Sequence, residues 1–296
     1  MKTLADVYQE IRQAVVAFVP RFPAHHELAW AECPHLQWVF GTGFVVGDSL
    51  IATNRHVAEQ FTEQPRGPDA VKFPACAALF CRLPQGLAIG LLNVCNVAVV
   101  SGLNLTSGFS YHTELPDLAI LSVECTGLQR FSVKLSDDAA PVGTEIATAG
   151  FSNGSWLLAP NAIPERFGPV LQRGIVSGES PFEGTEPHSI LIDVMVQGGA
   201  SGSPVFRADN GDVIGVVNAR HLDFREVTIN GQTVSIEQPT SFSHVVPVHF
   251  LRKLLSKSQD TLQASVPSTA PTIDKLLRQI PVAPSDRITN GRYTTG

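Results

Sequence analysis

The residues with the clearest chemical potential are a serine among small residues, a histidine at a strand end and an aspartate before a strand. Ser201 lies in the stretch GGASGSPVF, residues 198–206, whose small neighbours leave the backbone free to approach a ligand. A serine hydroxyl is a poor nucleophile at neutral pH, so it needs a base within hydrogen-bonding distance and a third group that orients the base. A hydrolytic role for Ser201 therefore requires a histidine and an acid elsewhere in the chain.

The best candidates for these partners are His56 and Asp117. His56 follows an apolar segment in LIATNRHVAEQF, which places its imidazole at a strand end rather than within a packed face. Asp117 starts an apolar segment in ELPDLAILSVE, and a partly buried carboxylate there needs a donor such as an imidazole N–H. The order along the chain is His56, Asp117, Ser201. This is the chymotrypsin order, whereas α/β-hydrolases run serine, acid, histidine.

The elements that must position these residues are short strands. Residues 36–250 contain many short β-prone runs separated by turn residues, including the hairpin dipeptides Gly47-Asp48, Asn210-Gly211 and Asn230-Gly231. Long helical patterns are absent from this region. The pattern predicts an all-β protein, and the length of the region suits two antiparallel barrels better than one.

Both ends of the chain differ from this β-rich region. Apolar residues from Leu4 to Phe18 recur at helical spacing until Pro20, which predicts an amphipathic N-terminal helix docked on the body of the protein or on a partner. The segment VVPVHFLRKLLSKS, from residue 245, predicts a short closing helix. Ser, Thr and Pro then dominate, which is typical of a flexible tail, and an apolar island at 273–280 would bind a partner or fold back.

These patterns divide the chain into four predicted segments. They are an N-terminal helix and lead-in at 1–35, an N-terminal barrel at 36–125, a C-terminal barrel with its closing helix at 126–256, and a flexible Ser/Thr/Pro-rich tail at 257–296.

Several segments together resemble the trypsin-like peptidases, especially the HtrA-like and related bacterial branch. They are GTGFVVGDSLIATNRHV, DLAIL, LQRGIVSGES and GGASGSPVFRADNGDVIGVVN, in family order over roughly residues 36–250. The resemblance implies a chymotrypsin-like fold of two antiparallel six-stranded β-barrels with the catalytic site between them. It implies that His56 is the general base, Asp117 its orienting acid and Ser201 the nucleophile. The backbone N–H groups of Gly199 and Ser201 would form the oxyanion hole.

Two residues near the serine depart from common family patterns. Ala200 stands where secreted trypsins carry an Asp that pairs with a new amino terminus, so the sequence excludes activation by that ion pair. Ser203 replaces the Gly of the commoner G-x-S-G-G-P form, and a small residue is expected to be tolerated there.

The resemblance also suggests a specificity pocket. Met195 would lie near the pocket base, and the opposite wall, which would also pair with the substrate backbone, would come from Val217, Asn218 and Ala219. Because no acid falls at the base, we expect a small or medium apolar residue before the scissile bond. Arg220 beside the cleft makes an acidic preference the alternative.

Composition excludes several other classes of protein. The chain has 296 residues, of which 44% are hydrophobic and 16% charged, as expected for a globular protein. Its net charge of −6 gives no electrostatic reason to bind nucleic acid or an anionic membrane. The longest apolar run, at 87–100, is too short for a membrane span, and charged residues interrupt the N-terminal segment that could have been a secretion signal. We therefore expect a cytoplasmic protein.

The remaining candidate ligand residues suggest neither a metal nor a cofactor. The five cysteines form no C-x-x-C pair and are expected to be buried thiols, with a Cys76–Cys81 bridge as the alternative. The one cluster that resembles a metal site matches no zinc spacing. It comprises His25, His26, Glu27, Cys33 and His35.

The sequence thus predicts a regulated serine endopeptidase that cleaves a protein or peptide substrate through an acyl-enzyme and has a restricted target. The alternative from another class is a catalytically silent binding module that recruits a partner through its N-terminal helix or C-terminal tail. Esterase or acyl-transfer activity by the same serine is chemically open, because it uses the same tetrahedral intermediate.

Overall fold

The fold was analysed in a computed structural model of the chain. The structure describes residues 2–20, 39–62, 75–84, 86–100, 116–152, 168–181, 186–229, 232–279, 288–289 and 292–293. The cluster of histidines and Cys33 considered above as a metal site lies outside these residues, as does the predicted turn at 230–231.

Six antiparallel strands close into the first barrel, in the circular order β1-β2-β3-β6-β5-β4. Several of these strands are buried on both faces. In β1, for example, Val15 and Ala17 belong to one buried cluster and Val16 and Phe18 to another. Burial on both faces explains why the strand is a continuous apolar run rather than an alternating one. The strands are β1 (Val15–Pro20), β2 (Gly41–Gly47), β3 (Leu50–Thr53), β4 (Ala75–Leu83), β5 (Gly86–Val99) and β6 (Ala119–Val123).

A second closed barrel follows, in the order β10-β11-β12-β9-β8-β7, again with antiparallel pairing. Its interior is an apolar cluster that includes Ile146, Val176 and Ile192. The predicted all-β architecture with two six-stranded barrels is therefore confirmed. The strands are β7 (Glu145–Gly150), β8 (Val170–Ser180), β9 (Ser189–Ile192), β10 (Pro204–Arg207), β11 (Val213–Ile229) and β12 (Gln232–Pro247).

The N-terminal helix is shorter than predicted. Helix α1 (Leu4–Ile11) starts with a capping box on Thr3 and docks on the body through Val7 and Ile11, which are 1% and 6% exposed. Residues 15–20 then form β1, so the predicted lead-in at 1–35 is wrong in that it contains the first barrel strand. The helical spacing of the apolar residues continued by chance into a valine-rich run that packs best as a buried strand.

The C-terminal boundary at 257 is also wrong. Helix α3 (Val248–Ala264) continues beyond it, and after a turn α4 (Ile273–Leu276) leads into β13 (Arg278–Gln279), which pairs with β5. Ile273 is only 1% exposed and joins the core of the first barrel. The apolar island therefore folds back on the domain. Its burial partners lie far away in sequence, so local composition could not indicate them. Two further strands, β14 (Ile288–Thr289) and β15 (Arg292–Tyr293), pair with each other.

The cysteines in the described residues are free thiols. They are Cys76, Cys81, Cys95 and Cys125, so the alternative bridge between Cys76 and Cys81 is not formed. Burial raises the pKa of Cys81 and of Cys125 to about 12, which keeps both thiols protonated and unreactive. None of the helices that the structure describes is both long enough and apolar enough to cross a membrane.

Candidate active site

The first barrel supplies the histidine and the aspartate from two neighbouring elements. Helix α2 (Arg55–Thr62) begins directly after β3, and His56 is its second residue. Asp117 lies just before β6, the strand that pairs with β3. The fully buried Asn54 joins the two segments, because its side-chain N–H donates to the Asp117 backbone carbonyl at 2.8 Å and its backbone carbonyl accepts from the Ala58 N–H.

His56 and Asp117 form a two-point hydrogen-bonded pair. The His56 ring Nδ1 lies 2.5 Å from Asp117 Oδ2, and the His56 backbone N–H donates to Oδ1 at 3.0 Å. Burial raises the pKa of the Asp117 carboxyl, but the hydrogen bonds and charge of His56, helped by the charge of Arg55, outweigh it, so the pKa is lower than usual. An ionised carboxylate can only accept, so Nδ1 carries the proton and Nε2 remains available as a base.

The second barrel presents Ser201 on a tight turn held by backbone hydrogen bonds. The N–H of Gly202 donates to the Val217 carbonyl, and the N–H of Val217 donates to the Ser203 carbonyl. Both the N–H and the hydroxyl of Ser203 donate to the Ala200 carbonyl, at 3.0 and 2.6 Å. The expectation that a small residue is tolerated at 203 agrees with this geometry, since the buried hydroxyl closes the turn.

Thr42 of β2 attaches this turn to the first barrel. Its N–H donates to the Ser201 carbonyl, and its hydroxyl donates to the Gly199 carbonyl at 2.7 Å. The same hydroxyl accepts from the Phe151 N–H, and the Thr42 carbonyl accepts from the Thr53 hydroxyl. Because Thr53 is three residues before His56, these bonds bring the serine turn against the segment that carries the histidine.

Two backbone N–H groups close to the Ser201 hydroxyl are available to a ligand. Among the described residues, neither the N–H of Gly199 nor that of Ser201 donates to a protein acceptor. Gly199 has a φ of +87°, and the Ala200 N–H closes a turn onto the Gln197 carbonyl, which sets the orientation of this backbone. Ala200 is 2% exposed and packs in the core of the second barrel, so its apolar side chain suits the position.

The Ser201 hydroxyl itself is not bonded to the histidine. It donates to the Asn218 carbonyl of β11 at 3.2 Å. The structure thus brings His56 and Asp117 into direct contact and leaves Ser201 in a rotamer bonded to its own barrel. Catalytic hydrogen bonds are often formed only once substrate is bound, so this arrangement is compatible with a resting enzyme.

The residues predicted to form the specificity pocket differ in how deeply the structure buries them. Met195 is 44% exposed, so its side chain lies at the surface rather than at a closed pocket base. Val217 is fully buried in the second barrel, so it acts on the turn through its backbone. Asn218 and Ala219 lie on the more accessible continuation of β11.

Sequence reasoning missed Thr42 and Asn54, the two buried polar residues that join the site's segments. Each is 0% exposed in an apolar neighbourhood, where a polar side chain needs hydrogen bonds. A threonine between two glycines and an asparagine directly before the Arg55–His56 helix start were the available signals. No group of three or more potential metal ligands occurs within the part of the chain that the structure describes.

The fold and the geometry of this site are those of a trypsin-like peptidase, and comparison with protein families gives the same class. The profile of the trypsin-like peptidase domain matches residues 41–216, and the chain belongs to that family. No curated protein matches the sequence significantly.

Solved structures that match the chain include three of low sequence identity. The serine endoprotease from Yersinia pestis has 17% identity and a TM-score of 0.47, covering 87% of this chain. The chain spans 66% of that protein's length. Rv3671c from M. tuberculosis H37Rv, in an inactive serine-to-alanine form, has 16% identity and a TM-score of 0.47. The match covers 86% of this chain and 91% of the Rv3671c chain. Deg5 has 17% identity and a TM-score of 0.48, and the match covers 89% of this chain and 95% of the Deg5 chain.

Proposed function

We propose that this trypsin-like protein is a serine endopeptidase in which Ser201 is the nucleophile, His56 the general base and Asp117 the residue that orients the base. The observation that supports this most strongly is the two-point His56–Asp117 pair on the first barrel, set against a serine turn with two unused N–H donors. Family membership supports the same class of reaction.

The proposed reaction begins with an extended peptide lying along β11. A substrate N–H would bond to the Asn218 carbonyl, which now accepts from the Ser201 hydroxyl, and the displaced hydroxyl would turn towards His56. Nε2 of His56 takes the hydroxyl proton as Oγ attacks the scissile carbonyl carbon. The Asp117 carboxylate stabilises the imidazolium that results.

The oxyanion of the tetrahedral intermediate would be held by the N–H groups of Gly199 and Ser201. Removing one such donor typically costs about 3–4 kcal/mol of transition-state stabilisation. Collapse of the intermediate expels the amine, which takes the proton from His56, and leaves an acyl-enzyme on Ser201. Water, deprotonated by His56, then releases the carboxylic acid and regenerates the hydroxyl.

The finer parts of the proposal concern substrate and control. We propose cleavage after a small or medium apolar residue, because no acid stands at the predicted pocket base. We propose a restricted protein target and a cytoplasmic location. A zymogen ion pair is absent because Ala200 replaces the acid, so control would come through the substrate or a partner.

The proposal is tested by fluorophosphonate labelling combined with a proteome-wide cleavage profile. The wild-type protein should be labelled at Ser201 and should generate new peptide ends, whereas Ser201→Ala and His56→Ala should do neither. Absence of labelling in the wild type under every condition tried would favour the alternative, a silent binding module. Labelling without peptide cleavage, together with hydrolysis of a thioester substrate, would favour acyl transfer or esterase activity.

A further inference from the structure

The hairpin formed by β11 and β12 extends well beyond the barrel to which it belongs. β11 pairs with β10 only as far as Val216, and β12 pairs with β9 only at residues 243–245. Beyond these contacts, from Leu222 to Pro239, the register contains eight residue pairs, and no third strand of the described residues pairs with either strand there. At about 3.3 Å per residue this projecting ribbon is roughly 25 Å long. We call residues 222–229 and 232–239 the ribbon.

The ribbon exposes an apolar stripe on one face. Val227 and Val234 lie directly opposite each other. Ile236 is two residues along β12, on the same face as Val234 and opposite Arg225. Their exposed fractions are 38%, 47% and 43%. A two-stranded hairpin with no third strand is marginally stable in water, so an exposed apolar face on such an element favours a binding function.

The ribbon is continuous with the candidate active site. β11 is hydrogen-bonded to the turn that carries Ser201 through Val217 and the Asn218 carbonyl, and it then continues directly into the ribbon. From Asn218 onwards, no described strand pairs with the edge of β11 that points away from β12. The edge of a sheet accepts an additional strand through its backbone N–H and C=O groups. The pairing of β11 with β12 shifts register between Val217 and Ala219 and again between Arg220 and Leu222, where the ribbon leaves the barrel.

We infer that the ribbon is a docking strand for the protein substrate, occupied by an extended segment N-terminal to the cleaved bond. This inference rests on the proposed peptidase function. A substrate antiparallel to β11 would place its scissile bond near Ser201 and its preceding residues along the ribbon. The apolar stripe would then select β-prone segments with apolar side chains at alternate positions.

A second copy of the chain fits the stripe less well than a substrate strand. Stable protein–protein interfaces usually bury about 800 Å² on each partner, and three partly exposed side chains supply only a fraction of that. An added strand gains its affinity mainly from backbone hydrogen bonds, which the open edge offers, and needs only a few side-chain contacts.

The test compares cleavage of one site in a short and in an extended peptide. The short peptide, of about eight residues, is the one that the wild-type protein cleaves fastest in a random peptide library. A Thr-Val repeat of about ten residues, long enough to span the ribbon, is then added to either end. We expect the N-terminal extension to lower KM about tenfold and the C-terminal extension to leave KM unchanged.

The double variant Val227→Ser, Val234→Ser should abolish the advantage of the N-terminal extension while cleaving the short peptide as well as the wild type does. Val142→Ser is the matched control, because Val142 is 48% exposed but lies outside the ribbon, and it should keep the advantage. Equal KM values for both extensions in the wild type would overturn the docking role and leave the proposed peptidase function intact. Failure to cleave any peptide would remove both.

Two further outcomes would assign the stripe to another occupant. A concentration-dependent dimer in light scattering that the double variant loses would indicate a second copy. A double variant much less heat-stable than Val142→Ser would indicate that the stripe packs against the chain itself. Either result would overturn the docking role.

Discussion

The two barrels contribute to the site in different ways. The first barrel supplies side-chain chemistry, a carboxylate and an imidazole joined by two hydrogen bonds. The second supplies backbone, a turn held by several backbone hydrogen bonds, in which the N–H groups of Gly199 and Ser201 donate to no protein acceptor among the described residues. Changes to the first region should therefore affect the reaction more than the fold, and changes to the second should affect both.

Among substitutions that leave Ser201 and His56 in place, the largest effect is expected where the first barrel's chemistry is changed without changing its shape. Asp117→Asn keeps the size of the side chain but can present an N–H to the imidazole, which stabilises the wrong tautomer. We expect kcat/KM to fall about 10⁴-fold while the fold is retained. The control is Asp274→Asn, whose carboxylate is 67% exposed and pairs with Arg130 at the surface. That variant should change kcat/KM by less than about twofold, and a comparable loss in both variants would contradict the orienting role.

The next largest effect is expected where the backbone turn is overfilled. A Cβ on Gly202, at a φ of +87°, would lie 1.9 Å from the Thr42 carbonyl oxygen and 2.3 Å from the Thr53 hydroxyl. Gly202→Ala should therefore lower the free energy of unfolding by at least about 3 kcal/mol, measured by urea denaturation.

Gly143 provides the matched control for this substitution. It has a similar φ of +90°, but a Cβ there would meet nothing within 4 Å. Gly143→Ala should cost only the backbone strain, about 1 kcal/mol. If the two alanine variants lose the same stability, the close approach of the two barrels at Gly202 does not constrain the protein.

A smaller and more selective effect is expected at the connection between the barrels. Thr42→Val removes the hydroxyl that bonds the Gly199 carbonyl and leaves the Phe151 N–H without its acceptor, at a cost of about 1–3 kcal/mol. Because that bond orients the peptide beside the proposed oxyanion donor, kcat should fall more than KM rises. Thr148→Val loses one buried hydroxyl bond, to the Pro204 carbonyl, and should lower stability with little effect on kcat. Equal kcat values in the two variants would remove the positioning role of Thr42.

The smallest effect is the pH dependence of stability contributed by Asp117. Its pKa in the folded protein lies below the ordinary value of 3.8, so the carboxylate stabilises the fold fully above that value and loses this contribution as pH falls through the lowered pKa. The difference in unfolding free energy between the wild type and Asp117→Asn should therefore be constant at neutral pH and shrink below pH 3.8. A difference that grows on acidification would mean that the pKa is raised instead.

The sequence predicted the parts of this account that local patterns encode. The alternation of strands and turns gave the two barrels, and the motif order gave the family. The predicted N-terminal helix continued to Phe18, whereas the helix ends at Ile11 and residues 15–20 form a strand. Valines at helical spacing suit either structure until their burial partners are known. Burial of Ile273 and the backbone role of Val217 depend on contacts between distant segments. Thr42 and Asn54 escaped notice because a single polar residue in an apolar segment has no pattern of its own.

The central claim is that residues from two barrels act as one catalytic unit, and a double-mutant cycle on kcat/KM for a cleaved peptide tests it most directly. Ser201→Ala should lower kcat/KM about a million-fold, His56→Ala should do so to a similar extent, and the double variant should be no slower than either single variant. Such non-additivity is the result expected of a nucleophile and the base that activates it. Losses that multiply in the double variant would show that the two residues act independently and would contradict the account.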